Sequence, residues 1–452
     1  MGRTSENANA IRFAIFTAAI YIAALTVGLR LLYYLAYVLA GVLIAAFIWS
    51  QLNKRGLRVR RNLEPTQAQV GQVIQETIEV ENTLWLPKLW IEVRDRSTLP
   101  RHHVGAVISL KGRRSKRWRV RTRCTHRGLY HLGPTAILSG DPFGLFRVSR
   151  VFNATSELLV YPPTVPLASF GIPESDLPGG MQTQRRAHHT TPNAAGIREY
   201  LPGDPMNRIH WAATARNQQL MVKEFELDPT ADLWLVLDLQ EDVHVACPTG
   251  SVPKRAVPVT RGATPGLPSA ILGQTEKGFA DPEPVEWSLD PTTEEYSVSV
   301  AASIAAFLIA QGRSLGFIAW GQHRVVLPAD RGGRQLIKIL RALAVLRAEG
   351  TTALGELLVA ESRQFSRQDT LIVVTPSLRE EWVASLEAQL HKGLHAAAAL
   401  VEPGTFCGSG NAMILVAALS ALGVPSYLVK RDDRIDAALG QTYGAANVRH
   451  MR

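Results

Sequence analysis

Residues Phe13–Leu29 read FAIFTAAIYIAALTVGL, Arg30 follows, and Leu31–Trp49 continue as LLYYLAYVLAGVLIAAFIW. Each apolar run is close to the ~20 residues that cross a hydrocarbon core of ~30 Å. Neither run carries a polar face, which argues against the alternative of a buried helical hairpin in a soluble protein. Only Gly28, Leu29 and Arg30 are available for the turn, which predicts a tight transmembrane helical hairpin over residues 1–53. A second span follows at once and no small-residue cleavage site stands out, which argues against a secretory signal. Tyr21, Tyr33, Tyr34, Tyr37 and Trp49 decorate the ends, as membrane interfaces favour. Arg3 and Arg12 precede the pair and Lys54, Arg55, Arg58, Arg60 and Arg61 follow it, against the lone Arg30 in the turn. The positive-inside bias therefore places both termini and everything after the hairpin in the cytoplasm.

The chain has 452 residues, 46% hydrophobic and 19% charged, a composition that builds two or three folded domains and excludes a disordered protein. Its net charge of +10 is unevenly spread. Arg96–Gly140 holds 11 Lys/Arg and no acid, and the Lys54–Arg61 cluster adds five more, leaving a mildly acidic remainder. That distribution argues against a general polyanion binder, and no nucleic-acid partner is expected. Cys124, Cys247 and Cys407 are odd in number, far apart and without CxxC spacing. They read as small buried thiols of a reducing compartment, with no disulfide framework and no zinc site.

Residues 54–163 read as a basic β-rich domain. Gln75–Val80, Leu89–Val93, Arg117–Cys124 and Glu157–Tyr161 are short runs with β-branched or aromatic members between Gly, Pro and Asn. In Arg117–Cys124 the alternation puts Arg117, Arg119, Arg121 and Arg123 on one face and Trp118, Val120, Thr122 and Cys124 on the other. Four such cations need water or partners. Anionic lipid head groups are one candidate partner, an ordinary solvated strand face the other. Asp141-Pro142-Phe143-Gly144-Leu145-Phe146 is a turn followed by apolar anchors. Some seven short strands in this length predict an immunoglobulin-like β-sandwich, with a barrel as the alternative.

Residues 164–231 form a poorly periodic linker that ends in a dense polar segment. Its first part reads Ile197-Arg198-Glu199-Tyr200-Leu201-Pro202-Gly203-Asp204-Pro205-Met206-Asn207-Arg208-Ile209-His210-Trp211. Ala215-Arg216 and Leu220-Met221-Val222-Lys223-Glu224-Phe225-Glu226 follow. Pro-Gly-Asp is a turn, with Asp204 placed as a helix N-cap, Pro205 at the first helical position, and Arg208, Trp211 and Ala215 on one helix face. This segment resembles the hallmark of domain-of-unknown-function family 58. Arg198, Glu199, Tyr200, Gly203, Asp204, Arg208, Ile209, Trp211, Ala215, Arg216, Leu220, Val222, Glu224, Phe225 and Glu226 match it. The apolar hairpin, basic β-rich domain and Asp-Pro-Phe-Gly turn also look like that family. The resemblance implies a prokaryotic inner-membrane protein with a von Willebrand factor A-like C-terminal domain, whose relatives are commonly encoded near MoxR-type AAA ATPases.

From Leu233 onward, apolar strands alternate with helices. Leu233–Leu239, Ser314–Trp320, Thr370–Thr375, His395–Val401 and Ser426–Lys430 read as strands. Glu294–Gln311, Arg334–Arg347, Glu380–His391 and Asn411–Leu422 read as helices. This predicts an α/β (Rossmann-like) domain over 232–452 with a parallel sheet covered on both faces. A Pro-rich flexible insertion spans about 247–291. Ligands of such sheets sit at the carboxyl ends of strands, where Asp238 lies. In von Willebrand factor A domains that position opens a D-x-S-x-S motif that holds a divalent cation with a Thr and an Asp from two other loops. Here Gln240 and Asp242 stand where the serines belong, Thr351 matches the threonine, and Pro376 replaces the second aspartate. The resemblance thus implies a degenerate site of Asp238, Gln240, Asp242 and Thr351. No cofactor is expected, and Mg²⁺ is the ion it would take.

The functional expectation is a membrane-anchored, non-enzymatic scaffold that presents this degenerate domain to a protein partner, a MoxR-type AAA ATPase by the resemblance. Two alternatives are an envelope-metabolism hydrolase using Glu199, Asp204 and His210, and a lipid-sensing module using the arginine face.

Overall fold

The computed structural model describes residues 8–172, 194–200, 209–225, 231–247 and 289–443. Helices α1 (Ala8–Val27) and α2 (Arg30–Asn53) form the apolar pair, each long and apolar enough to cross a membrane, with most side chains outward. Gly28 turns the chain between them at a φ of 71°, where a side chain would be strained.

Ten strands follow: β1 (Leu57–Glu64), β2 (Gln67–Gln69), β3 (Val73–Asn82), β4 (Lys88–Asp95), β5 (Ala106–Leu110), β6 (Ser115–Arg123), β7 (Gly128–Leu132), β8 (Thr135–Gly140), β9 (Arg147–Phe152) and β10 (Ser156–Tyr161). They form three sheets, ordered β1-β3-β6, β5-β4-β8-β9 and β2-β10-β7. In β3, Ile74, Glu76, Ile78 and Val80 are buried while Gln75, Thr77 and Glu79 face outward, the period-two signature of a one-sided strand. Leu57, Ile78 and Val80 of the first sheet share a core with Ile91, Val93, Ile108 and Ile137 of the second, so these sheets face each other.

The basic cluster after the hairpin runs from the C-cap of α2 into β1, where alternation splits it: Arg58 and Arg60 are exposed, whereas Arg61 points inward and its side chain is 2% exposed. A buried arginine needs carboxylates, and Arg61 bonds Glu76 through two atoms and Asp95 at 2.9 Å. Glu76 in turn bonds His102 Nε2 at 2.8 Å, and His102 Nδ1 reaches Thr122 at 2.7 Å.

The apolar pair is tied into this domain. Asn53 Nδ2 donates to the Gly140 carbonyl at 2.8 Å, and Lys88 Nζ donates to the Leu52 carbonyl at 2.6 Å, a cation placed at the helix C-terminus. Leu145 and Phe146 of the β8–β9 turn pack on Ala10, Phe13 and Ala46, and the Phe146 ring meets Phe47 edge-on at 5.5 Å.

The hallmark segment contributes β11 (Ala194–Glu199), α3 (Trp211–Asn217) and β12 (Met221–Phe225), with β11 and β12 antiparallel. The α/β region comprises β13 (Leu233–Leu237), α4 (Thr293–Ala310), β14 (Leu315–Trp320), β15 (Arg324–Asp330), α5 (Gly333–Val345), α6 (Leu354–Ala360), β16 (Thr370–Thr375), α7 (Glu381–Leu390), β17 (His395–Val401), α8 (Met413–Ala421), β18 (Ser426–Val429) and α9 (Ile435–Gly440). The sheet order is β15-β14-β13-β16-β17-β18. β13 is buried on both faces: Leu233, Leu235 and Leu237 pack with α4, α5 and α9, and Trp234 and Val236 with α6, α7 and α8. α4 is itself apolar enough to span a membrane but is buried in this core. The expected all-parallel sheet is corrected at one edge, where β15 runs antiparallel to β14. β15 is only partly buried, as an edge strand is, and its Arg324, Pro328 and Asp330 gave no continuous apolar run to read.

Two further expectations are revised. Val165 and Phe170, placed in a linker, are buried in the α/β core, where Phe170 stacks on Tyr427 at 4.7 Å. Cys247 and Cys407 are disulfide-bonded, with Cα atoms 5.4 Å apart, although 160 residues separate them. Cys247 follows the loop beyond β13 and Cys407 the loop beyond β17, so the sheet brings both to one edge. Cys124 is buried, and burial pushes its thiol up to about 12. Of the insertion, residues 248–288 lie outside the described residues. Its two ends meet, with Cys247 N donating to the Pro291 carbonyl at 3.3 Å.

Candidate functional site at the sheet rim

At the carboxyl edge of the sheet, Asp238 leaves β13 almost wholly buried, at 1% exposure. Its Oδ2 accepts from the Thr375 hydroxyl at 2.6 Å and its Oδ1 from the Gln240 backbone N–H at 3.1 Å. Its backbone carbonyl is bonded by His244 Nε2 at 3.0 Å, and His244 Nδ1 lies 3.2 Å from the Thr293 hydroxyl. Burial pushes the Asp238 carboxyl above its ordinary range, partly offset by the Thr375 and Gln240 donors, and burial pushes His244 down.

Gln240 is also buried and bridges to Gly350, and Glu241 N donates to the Gly350 carbonyl at 2.8 Å. A Cβ on Gly350 would lie 2.3 Å from the Trp320 carbonyl oxygen of β14 and 2.8 Å from that of Leu239, so this close approach requires glycine. Thr351, next in the chain, is exposed beside Gln240. Asp242 is carried outward on a short 3₁₀ turn, and its carboxylate lies 4.0 Å from Arg379.

The fold thus gathers Asp238, Gln240 and Thr351 on one rim and turns Asp242 toward solvent. A hard divalent cation takes six or more oxygens. Here both oxygens of the Asp238 carboxylate accept hydrogen bonds, and Pro376 adds no side-chain donor. Among the described residues, no group of three His, Cys, Asp or Glu converges. The residues present therefore do not fit such an ion.

In the hallmark segment, Arg198 lies on β11 opposite Val222, and Glu199 is exposed and engaged. Tyr200 N donates to the Leu220 carbonyl at 2.8 Å. Gly203, Asp204 and Arg208, with the expected N-cap and the shared face at Arg208, lie outside the described residues. The described helix is α3, whose cap is His210: its Nδ1 accepts from Ala213 N at 3.0 Å. Trp211 is 69% exposed, and Arg216 is exposed in the last turn.

The four arginines of β6 are on one face as the alternation dictates. Arg117, Arg119 and Arg121 are exposed and Arg123 is half-buried. Arg117 meets Glu79 at 3.2 Å, Arg121 donates to Gln75 at 3.4 Å, and Arg123 donates to the Gly71 carbonyl at 3.2 Å.

One cluster escaped sequence reading. Arg127, in the turn between β6 and β7, is fully buried against the N-terminus of α4. It meets Glu294 at 2.6 Å and Glu295 at 2.5 Å, and donates to the Leu346 carbonyl at 2.9 Å. Arg347 lies 3.5 and 3.4 Å from the same two carboxylates. Beside it His126 meets Asp290 at 3.0 Å, which raises the imidazole pKa. These pairs join the β-rich region to the α/β region. The partners of Arg127 lie more than 160 residues away, so no local signal marks it.

With the geometry in place, the class is clear: an apolar helical pair, a sheet-rich region and a C-terminal α/β region in one chain. Residues 196–262 match the family described as protein of unknown function DUF58. The chain is 23% identical over 380 residues to the uncharacterized protein YeaD of Bacillus subtilis, an alignment covering 82% of this chain and 83% of that one. Over residues 196–262 it is thus similar to DUF58-domain proteins. Among solved structures, an aerotolerance-related membrane protein from Bacteroides fragilis aligns at 12% identity and a TM-score of 0.26, over 47% of this chain and 96% of that one. The CARDB domain of the PF1109 protein from Pyrococcus furiosus aligns at 18% identity and a TM-score of 0.18, over 23% and 91%.

Proposed function

We propose that the protein is a membrane-anchored scaffold rather than an enzyme. In this reading the apolar pair spans the inner membrane as a hairpin and both termini lie in the cytoplasm. The sheet-rich region is an immunoglobulin-like sandwich, and the α/β region is a degenerate von Willebrand factor A-like domain working without a cation. Its rim, around the exposed Asp242 and Thr351, receives a protein partner, a MoxR-type AAA ATPase. The observation that carries the reading is the state of Asp238. The one carboxylate at the position where this fold does its chemistry has both oxygens bound to Thr375 and to the Gln240 N–H. His210 is likewise used as a helix cap, which weakens the hydrolase alternative.

The test is capture of the detergent-solubilised full chain with the MoxR-type ATPase of the same genome, with Mg²⁺ and without it. Retention in both conditions, reduced by Asp242→Arg with Thr351→Arg at exposed positions, is expected. Failure of any ATPase to co-purify contradicts the reading. Orientation is tested by acid trapping of thiols in intact cells. Cytoplasmic placement predicts that Cys247 and the exposed Cys407 are recovered mainly reduced, because cytoplasmic thiols exchange with accessible disulfides. A fully oxidised pair contradicts that orientation.

A further inference from the structure

The sheet-rich region presents one end to the base of the apolar pair. At that end lie the β3–β4 loop, the β5–β6 turn, the β8–β9 turn and the start of β1. Thr83 N donates to the Gly56 carbonyl at 2.7 Å, and Arg113 N to the Leu84 carbonyl at 2.8 Å. With the Asn53–Gly140 and Lys88–Leu52 bonds, these contacts place all four segments around the C-terminus of α2.

Two properties of this end are unusual for a surface in water. Trp85 is 75% exposed, Phe143 62%, Leu89 57% and Trp90 38%. The same segments carry exposed Arg55, Lys111, Arg113, Arg114 and Arg147. The acid within the turns, Asp141, is buried and spent on the Phe143 and Phe146 N–H groups at 2.8 and 2.5 Å. Exposed aromatics ringed by cations without an exposed acid are what an anionic bilayer interface takes.

Depth settles the occupant. Phe146 packs on Phe47 and Leu145 on Ala46, inside the apolar run that ends at Trp49. At 1.5 Å rise per residue, Phe47 lies ~9 Å along the helix from Asn53, toward the apolar interior. The β8–β9 turn therefore reaches the level of the hydrocarbon boundary, and Phe143 at its tip faces outward there.

We infer that this end of the sheet-rich region is a membrane-docking surface. Trp85, Leu89, Trp90 and Phe143 enter the interface of the bilayer that the chain's own hairpin occupies, and the surrounding Lys and Arg bind anionic head groups. This site differs from the β6 arginine row, which runs along its strand: at ~3.3 Å per residue, Arg123 stands ~20 Å beyond Arg117.

The inference requires the hairpin to be in the bilayer, and the test reports that separately. In the full chain carrying Cys124→Ala, Cys247→Ser and Cys407→Ser, single cysteines are placed at Trp85, Phe143, Asn62 and Leu35, labelled with a nitroxide, and reconstituted in nanodiscs of phosphatidylcholine with or without phosphatidylglycerol. Collision with oxygen is compared with collision with a water-soluble nickel chelate. Leu35, exposed within the apolar run of α2, reads lipid if the hairpin is inserted. Asn62, exposed on β1, reads water. The oxygen-to-nickel ratio at Trp85 and Phe143 should exceed that at Asn62 by about threefold or more with the anionic lipid, and fall without it. A ratio equal to that at Asn62 overturns the proposal, as does shielding from both reagents, the mark of a protein cover. Equal ratios in the two lipid mixtures overturn the anionic assignment.

Discussion

Two buried arginines each sit between two carboxylates, and the settings differ. Arg61 lies inside the sheet-rich region, between Glu76 and Asp95, with His102 and Ser97 completing the network. Burial alone would raise Glu76 and Asp95, but the donors from His102, Arg61 and Ser97 outweigh it and hold both carboxyls below their ordinary range. Arg127 lies between two regions of the chain, and there burial wins: Glu295 is pushed above its ordinary range despite Arg127 and Arg347. The first cluster is closed and fixes one fold. The second is incompletely compensated, a joint whose strength depends on protonation.

The sharpest way to break this comparison is Arg61→Met, which leaves Glu76 and Asp95 buried without their cation. We expect a loss of about 3–5 kcal/mol in the stability of the sheet-rich region, read as the denaturant midpoint of the full chain. Arg127→Met should cost less, about 2–3 kcal/mol, because Glu295 can take a proton and Glu294 keeps some water. Its signature is the splitting of one thermal transition into two as the regions uncouple. A single unsplit transition would show that Arg127 does not join them.

Protonation separates the clusters further. A carboxyl raised by docking binds protons in the docked state, so docking strengthens as pH falls toward the ordinary Glu range and weakens as pH rises through the raised value. His126, raised by Asp290, acts in the same direction, its contribution present below its ordinary value and lost as pH rises through the raised one. Protection from hydrogen exchange at the β6–β7 turn, taken relative to the intrinsic rate at each pH, should therefore rise between pH 7 and 5. The Arg61 cluster has the opposite sign: its lowered carboxyls stabilise above about pH 4 and lose that contribution in stronger acid.

The smallest expected effect lies at Asp369, which burial raises to about 6 beside the Trp234 N–H and the Ser366 and Asp232 backbone donors. The α/β region should gain about 1 kcal/mol between pH 7 and 5, allowing for residual solvent screening, and Asp369→Asn should flatten that gain.

How much of this was legible in the sequence follows from the range of each signal. The helical pair and the buried strands are written in local runs, so Thr370–Thr375 and His395–Val401 are found where the sequence puts them. The alternation in β6 is local too. Arg61 was hidden in a basic cluster because one residue of register decides whether a cation faces water or the core. The Cys247–Cys407 bond and the Arg127 joint depend on chain crossings 160 or more residues apart, which no spacing rule reaches. At the rim, Asp238, Gln240 and Thr351 were readable as a set. That Thr375 would occupy the Asp238 carboxylate was not, because its place depends on the pairing of β13 with β16.

In the proposed reading the rim around Asp242 and Thr351 is a protein-binding surface. It is tested most directly by titrating the MoxR-type ATPase onto the full chain in nanodiscs and comparing the wild type with the Asp242→Arg, Thr351→Arg double variant, both positions being exposed. The account predicts an affinity at least about tenfold weaker for the variant, since two arginines at an interface core leave charges unpaired, with its melting profile unchanged. Equal affinity for the two proteins would contradict it.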